Sequence, residues 1–299
     1  MSGSLLEIRK KIGSVQNTRK ITKAMQLVAA SKMRQFQKRA LSSRQYVWDL
    51  LEILENNLNS QSTSLFTEER EMGKTLFILY TSDKGLCGPL NTKIINGLFR
   101  SKEWGAVPES ERLLLTIGKK GHDFAKNRGI PVAKHFIGIP EKLSFFDSLK
   151  VIESILHYWE VEKVKEVFVV APHYKNSFTF YPVMKSFLPF TQKTIESAVG
   201  HLEEHERPKR KKRPNDFMYF EPDKGLALEH LYRQMVQVLF IEAFLELKAS
   251  EYSSRMIAMQ SATDAATRIT NDLTRDYNKA RQQAITNEIA ELMGASAAL

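Results

Sequence analysis

Cysteine is almost missing from this 299-residue chain, which has one, Cys87. A single thiol excludes an internal disulfide and any zinc site built from several cysteines, and it suits a reducing compartment. Long apolar runs are also missing. Stretches such as Val167 to Pro172 fall far short of the roughly 20 residues that a membrane-spanning helix requires. No apolar block followed by small residues opens the chain, so a secretory signal is not expected. Acid is scarce at the start: residues 1–45 hold eleven Lys and Arg but one carboxylate, Glu7. The remainder balances, with 33 side chains of each sign, so the whole formal net charge of +10 sits in the first 45 residues. A basic, acid-poor start would suit an organellar transit peptide, but a recognisable motif begins there almost at once. Such a concentration of charge calls for an acidic partner.

Glycine and proline are absent over two long stretches. None lies between Gly13 and Gly73, and none between Gly225 and Gly294. Without breakers, and with apolar residues three and four apart, both stretches are predicted to be long helices. Leu5, Ile8, Ile12 and Val15 mark the first, continued by Ile21, Met25 and Val28, then by Val47, Leu51, Leu54 and Leu58. Met256, Met259, Thr263, Ala266, Thr270, Leu273, Tyr277, Ala280 and Ala284 mark the second, while Ile285, Ile289 and Leu292 lie on another face. A helix from about Leu228 to Met293 would extend on the order of 100 Å and protrude from any globule of this size. The two stripes are expected to cover each other as a long antiparallel coiled coil. Expected boundaries are 1–60 for the N-terminal coiled-coil helix, 73–200 for a central domain, 201–215 for a basic mobile loop and 226–299 for the C-terminal coiled-coil helix.

The middle alternates β-rich runs with helical patterns. Strands are predicted at 75–81, 113–117, 132–137 and 166–171, with helices from near Asn91 and over 119–128 and 144–159. Phe178 to Leu188 reads as an edge strand because Pro182 would interrupt a central ladder. This order implies a Rossmann-like α/β domain with a mainly parallel sheet, so the fold class is α/β with an added coiled coil.

An α/β layer invites a search for chemistry. Gly118-Lys-Lys-Gly121 follows a strand and opens a helix, but it lacks the spacing of a P-loop or a dinucleotide fingerprint and reads as a turn. Cys87 could meet His122, His135 or His173, yet no nucleophile pattern supports it. His201 and His205 match a zinc-protease spacing, but they lie in a polar loop beside the cations of Arg207 to Arg213. No catalytic residue, metal site or cofactor is expected. A nucleic-acid binder remains open, because a basic helix can track phosphates. The charges, however, encircle the helix and interleave with Ile21, Met25, Val28 and Met33.

The run Ser14-Val-Gln-Asn-Thr-Arg-Lys-Ile-Thr-Lys-Ala-Met-Gln-Leu-Val-Ala-Ala-Ser-Lys-Met-Arg34 resembles the N-terminal helix of the γ subunit of F-type ATP synthases. Arg255 to Gln260, Ala262-Thr-Asp264, Tyr277 to Gln282 and Ile285-Thr286 are similar to that family's C-terminal helix. Ser82 to Gly88, Gly118 to Gly121 and Phe220-Glu-Pro222 resemble its motifs in between. Pro89 departs from the family's usual glycine, and the missing cysteine pair excludes the thiol switch of chloroplast relatives.

The resemblance implies a rotor shaft without an active site. Its partners would be the α and β subunits of the catalytic hexamer, the ε subunit and the ring of c subunits. Its place would be peripheral to a membrane, at the cytoplasmic face of the bacterial inner membrane or the matrix or stroma side of an organelle. The family pattern places Met25 near a β-subunit lever with Arg255 beside it, and Lys32 two turns on toward the same collar. Arg281 and Gln282 match a pair that meets a β loop, and Thr286 and Glu288 fall at coupling-sensitive positions. A coiled-coil adaptor with a regulatory domain is the other open reading.

Overall fold

A single helix occupies most of each breaker-free stretch: α1 spans Ser2–Asn57 and α6 spans Lys224–Ala297, while residues 64–72 are turn and loop. The computed structural model describes residues 2–57, 64–194 and 220–297. The expected basic loop 201–215 and the His201/His205 pair lie outside those residues. α6 begins ahead of Gly225 because Asp223 caps it, its Oδ1 accepting from the Gly225 and Leu226 N–H groups at 2.8 and 3.0 Å.

Between the helices run β1 (Thr75–Tyr80), α2 (Leu90–Phe99), α3 (Lys102–Ala106), β2 (Arg112–Ile117), α4 (Lys119–Asn127), β3 (Lys134–Phe136), α5 (Phe145–Glu160), β4 (Glu166–Tyr174) and β5 (Phe180–Leu188). The strands form one sheet in the order β3-β2-β1-β4-β5. The first four are mutually parallel and β5 is antiparallel to β4. Pro182 is tolerated because β5 is an edge strand. Gly97 lets α2 lie on that edge, since an added Cβ would come within 2.9 Å of the Pro182 Cβ. α5 opens on a reciprocal capping box between Ser144 and Asp147. The Ser144 hydroxyl and N–H hold the Asp147 carboxyl below the usual carboxylate range.

The chain divides into two compact units: residues 1–31 with 255–299, and residues 32–254. In the larger, β1 is buried along its whole length, as a central parallel strand covered on both faces must be. The C-terminal part of α1 contributes Val47, Leu51 and Leu54 to its core, and α6 contributes Leu228, Tyr232, Met235, Val236, Phe240, Phe244 and Leu247. Those α6 residues recur at three and four, the period of one buried helix face.

In the smaller unit the helices run antiparallel. Thr22 and Thr263 share a buried hydroxyl hydrogen bond of 2.8 Å, and Gln26 donates to Gln260. The α6 stripe follows the expected positions: Met259, Thr263, Ala266 and Thr270 are buried, and Leu273, Tyr277, Ala280 and Ala284 are half-buried. The α1 stripe differs from the expected one after Val15. It continues through Arg19, Thr22, Gln26 and Ala29, an unbroken 3/4 repeat, and leaves Ile21 and Val28 60% exposed. The fully covered seam positions, Thr22, Ala29, Thr263, Ala266 and Thr270, are mostly small, which brings the backbones close. The larger apolar groups are left on the outside.

Candidate partner-contact surface

The apparent ligand positions of the α/β layer are occupied by the protein's own groups. The Gly121 N–H donates to Thr81 Oγ1 at 2.8 Å, and the Lys119 N–H donates to Asp83 Oδ1 at 3.0 Å. These are the donors a bound phosphate would need. Gly118 has φ +91°, and a Cβ there would stand 2.0 Å from the Thr81 carbonyl oxygen, so this glycine serves strand contact. Cys87 is buried, with Asn91 donating to its Sγ at 3.2 Å and the Ser254 hydroxyl donating to its carbonyl. α6 thus fastens the polar turn after β1 at Cys87, while Lys84 and Leu86 stay exposed.

The outward side of the smaller unit carries the chemistry of a binding surface. Ile21, Leu27 and Val28 stand exposed among Lys20, Lys23 and the more N-terminal Arg9, Lys10 and Lys11. This is apolar area ringed by cations, the composition of a protein-contact patch. On α6 the threonines donate their hydroxyl protons to their own helix: Thr263, Thr267, Thr270 and Thr274 donate to the carbonyls four residues back at 2.7–2.9 Å. Thr263 keeps its oxygen free to accept across the seam from Thr22.

The far end of α6 outruns α1. Thr22 lies opposite Thr263 and Gln26 opposite Gln260, so at equal rise per residue Ser2 comes level with about residue 283. Beyond that point no described α1 residue lies across from α6. Ile285, Ile289, Leu292 and Met293 form an exposed stripe there, Leu292 at 71%. Such a face has the composition of a protein-contact surface.

The expected contact residues separate into two groups. Arg281, Gln282, Thr286 and Glu288 are all exposed on this overhang or at its base, and Thr286 Oγ1 donates to the Gln282 carbonyl at 2.9 Å. Met25 is half-buried at the seam. Arg255 is buried, at 8% exposure. Lys32 is partly exposed and pairs within the chain, its Nζ 2.8 Å from Glu141 Oε2. Tyr252 donates to the other Glu141 oxygen, and its ring stacks on Phe36 at 5.6 Å. Partial burial would raise the Glu141 pKa, but the Lys32 and Tyr252 hydrogen bonds outweigh it and hold the carboxyl low. Sequence reading missed Glu141 because nothing local marks a loop residue that meets helices more than a hundred positions away. It also missed the outward Leu27, since exposed apolar groups inside a charged helix look like core.

A model of the ATP synthase family matches residues 4–299. An ATP synthase gamma chain of Staphylococcus epidermidis is 32% identical over 298 residues, covering 99% of both chains. One of Polaromonas naphthalenivorans is 36% identical over 296 residues, covering 98% of both. Among solved structures, the rotor of the Euglena gracilis mitochondrial ATP synthase matches at TM-score 0.66 and 18% identity, over 95% of this chain and all of that one. The central stalk and c-ring structure from Tetrahymena thermophila matches at 0.58 and 23%, over 81% and 99%. At those identities the structural likeness speaks for the fold.

Proposed function

This chain belongs to the ATP synthase gamma-chain family, and we propose that it is the central rotor shaft of an F-type ATP synthase. It has no active site of its own. It couples proton-driven turning of the c-ring to the conformational cycle of the catalytic β subunits. The single observation that carries this reading is the overhanging end of α6, an apolar and charged helix face with no cover from α1. A shaft end enclosed by a ring of subunits needs such a face, and a monomeric adaptor would leave it in water. The breaker-free helices suit the load, because neither Gly nor Pro interrupts the hydrogen-bond ladder that resists bending.

The α and β subunits surround the coiled coil, and the ε subunit and c-ring meet the α/β unit. Arg281, Gln282, Thr286 and Glu288 face the collar directly, and Met25 reaches it from α1. Lys32 and Arg255 support that surface from within the chain. The protein is peripheral to the membrane through its complex, and among the described residues no helix is long and apolar enough to cross one. Its side is the cytoplasmic face of a bacterial inner membrane, in keeping with the bacterial relatives.

The test is co-expression with α and β subunits, with a probe fixed to this chain. A stoichiometric complex in which ATP hydrolysis turns the probe is expected, and a complex whose ATPase runs without turning it would sink the reading. At the residue level, replacing Arg281 and Gln282 together by Ala should weaken ATP-driven proton pumping while leaving the fold intact. Pumping at the full rate in the double variant would remove both from the contact surface.

A further inference from the structure

The place where an α/β sheet most often takes a ligand is filled here by α6. The strand order β3-β2-β1-β4-β5 reverses its direction of growth between β1 and β4. Ligand crevices of open α/β sheets lie beyond the C-terminal strand ends at such a reversal. Ser254 of α6 donates its hydroxyl to the Cys87 carbonyl in the turn after β1. Its neighbour Ser253 donates to the Ser177 carbonyl in the turn after β4. Tyr252 donates to Glu141 in the loop after β3, and Lys32 of α1 meets the same carboxylate at 2.8 Å. About two turns earlier on α6, Glu246 accepts from Arg44 of α1 at 2.8 Å and stands 3.2 Å from His173 Nδ1 of β4.

Every residue from Glu246 to Ser254 is buried, none above 9% exposed. A helix enclosed on all sides is ordinarily apolar. This stretch instead carries Glu246, Lys248, Ser250, Glu251, Ser253 and Ser254. Burying polar groups is unfavourable unless they are bonded, and apolar packing alone would hold the helix without that demand. What hydrogen bonds add is direction. Consecutive helix residues point about 100° apart, so the hydroxyls of Tyr252, Ser253 and Ser254 span about 200° of the circumference. A turn of about 20° would carry groups standing roughly 5–6 Å from the axis through about 2 Å, enough to break all three bonds. Apolar burial is non-directional and sets no such limit.

We propose that this crevice is a torsional clamp. Tyr252, Ser253 and Ser254 fix α6 about its own axis against three loops of the sheet, and the Arg44–Glu246–His173 links hold it again two turns away. The clamp's purpose rests on the rotor reading: a twist delivered to the sheet reaches α6 without slip. These are positioning residues, which act through the helix they hold.

The experiment compares the full chain with Ser253→Ala plus Ser254→Ala, each carrying spin labels at Val161→Cys and Ile269→Cys, positions 65% and 48% exposed. The width of the label-to-label distance distribution reports how freely the helix turns against the sheet. Thermal angular variance scales inversely with stiffness, so losing two of the five links named above should widen it by roughly 1.5–2-fold. A serine-pair variant of wild-type width overturns the clamp. Tyr252→Phe keeps the ring on Phe36 and removes only the hydroxyl, so it answers the question even if the serine pair does not fold. It should widen the distribution less, in the same direction, and wild-type width there also overturns the clamp. Val151→Ala, in the core on α5, lowers stability without touching the crevice and should leave the width unchanged. Equal broadening in that control would show general loosening and overturn the clamp as well. None of these arms needs the partner subunits. A wild-type complex that hydrolyses ATP without turning its probe sinks the rotor reading, whereas the label widths decide the clamp.

Discussion

In the unit of residues 32–254 the fully buried side chains include large ones: Trp159, Tyr80, Tyr174, Phe66, Phe77 and Phe240. In the unit of residues 1–31 and 255–299 the buried ones are mostly small, Thr22, Ala29, Thr263, Ala266 and Thr270, beside Met259 and Arg255. The first has a sheet with helices on its faces and therefore an interior to fill. The second is two helices side by side, with a seam and no interior. Large groups there would only push the helices apart. What the thin seam gives up in buried area it regains in diameter, because close backbones make a slender rod with room outside for partners. The two units also handle charge in opposite ways. The larger encloses Arg44 against Glu246, and the smaller keeps nearly all its cations on the outer surface.

The strongest challenge to this contrast is Glu246→Gln. It leaves the Arg44 guanidinium buried without its carboxylate, and urea unfolding should show a loss of about 3–5 kcal/mol. A loss near zero would mean that the larger unit does not rely on its buried charges. The pH dependence sharpens the point. Burial opposes ionisation of Glu246, but the His173 hydrogen bond and then the Lys185, His173 and Arg44 charges prevail, setting its pKa at about 2. A carboxyl so depressed contributes stability above the ordinary carboxylate range that is lost as pH falls toward about 2. The wild type should therefore show an acid limb between those values, and Glu246→Gln should lack it.

Next in size is Ala266→Leu. A seam that works by closeness cannot take the added bulk, and overpacking should destabilise the chain by about 1–3 kcal/mol. An unchanged melting curve would show that the helices can separate without cost, against the slender-rod account. Thr263→Val keeps the seam's volume and removes the bond to Thr22, so about 1 kcal/mol is expected, read in the same assay. Smallest in the isolated chain are Ile289→Ser and Leu292→Ser. Both sides are exposed on a helix without cover from α1, so each should move unfolding by less than about 0.5 kcal/mol. Together they should nonetheless weaken association with the α and β subunits, measured by co-purification. Tight association in the double variant would move the contact surface away from the overhang.

The long helices were legible from missing Gly and Pro alone, and the α6 stripe was legible to its end. The α1 stripe was legible to Val15 and again at Val47, Leu51 and Leu54, but misplaced at Ile21 and Val28, which are more apolar than Thr22 and Ala29. Hydrophobicity ranks residues by their dislike of water, whereas a close helix seam ranks them by size. The strands were legible from β-branched and aromatic runs, and α3 was missed because five residues carry no period. Of the contact residues, those at the overhang could be placed by motif. Lys32 and Arg255 could not be sorted from them, because the groups that engage or cover them are distant in sequence.

The sequence by itself determined two unbroken helices, a parallel sheet between them and the charge at one end, because each depends on residue type and local spacing. Only the tertiary structure decided which face of α1 turns inward, how far α6 outruns its partner and which acid meets which cation. Those are matters of pairing between residues far apart in the sequence, such as Arg44 with Glu246 and Thr22 with Thr263. Local preference has no hold on them, and only the meeting of complete surfaces settles them.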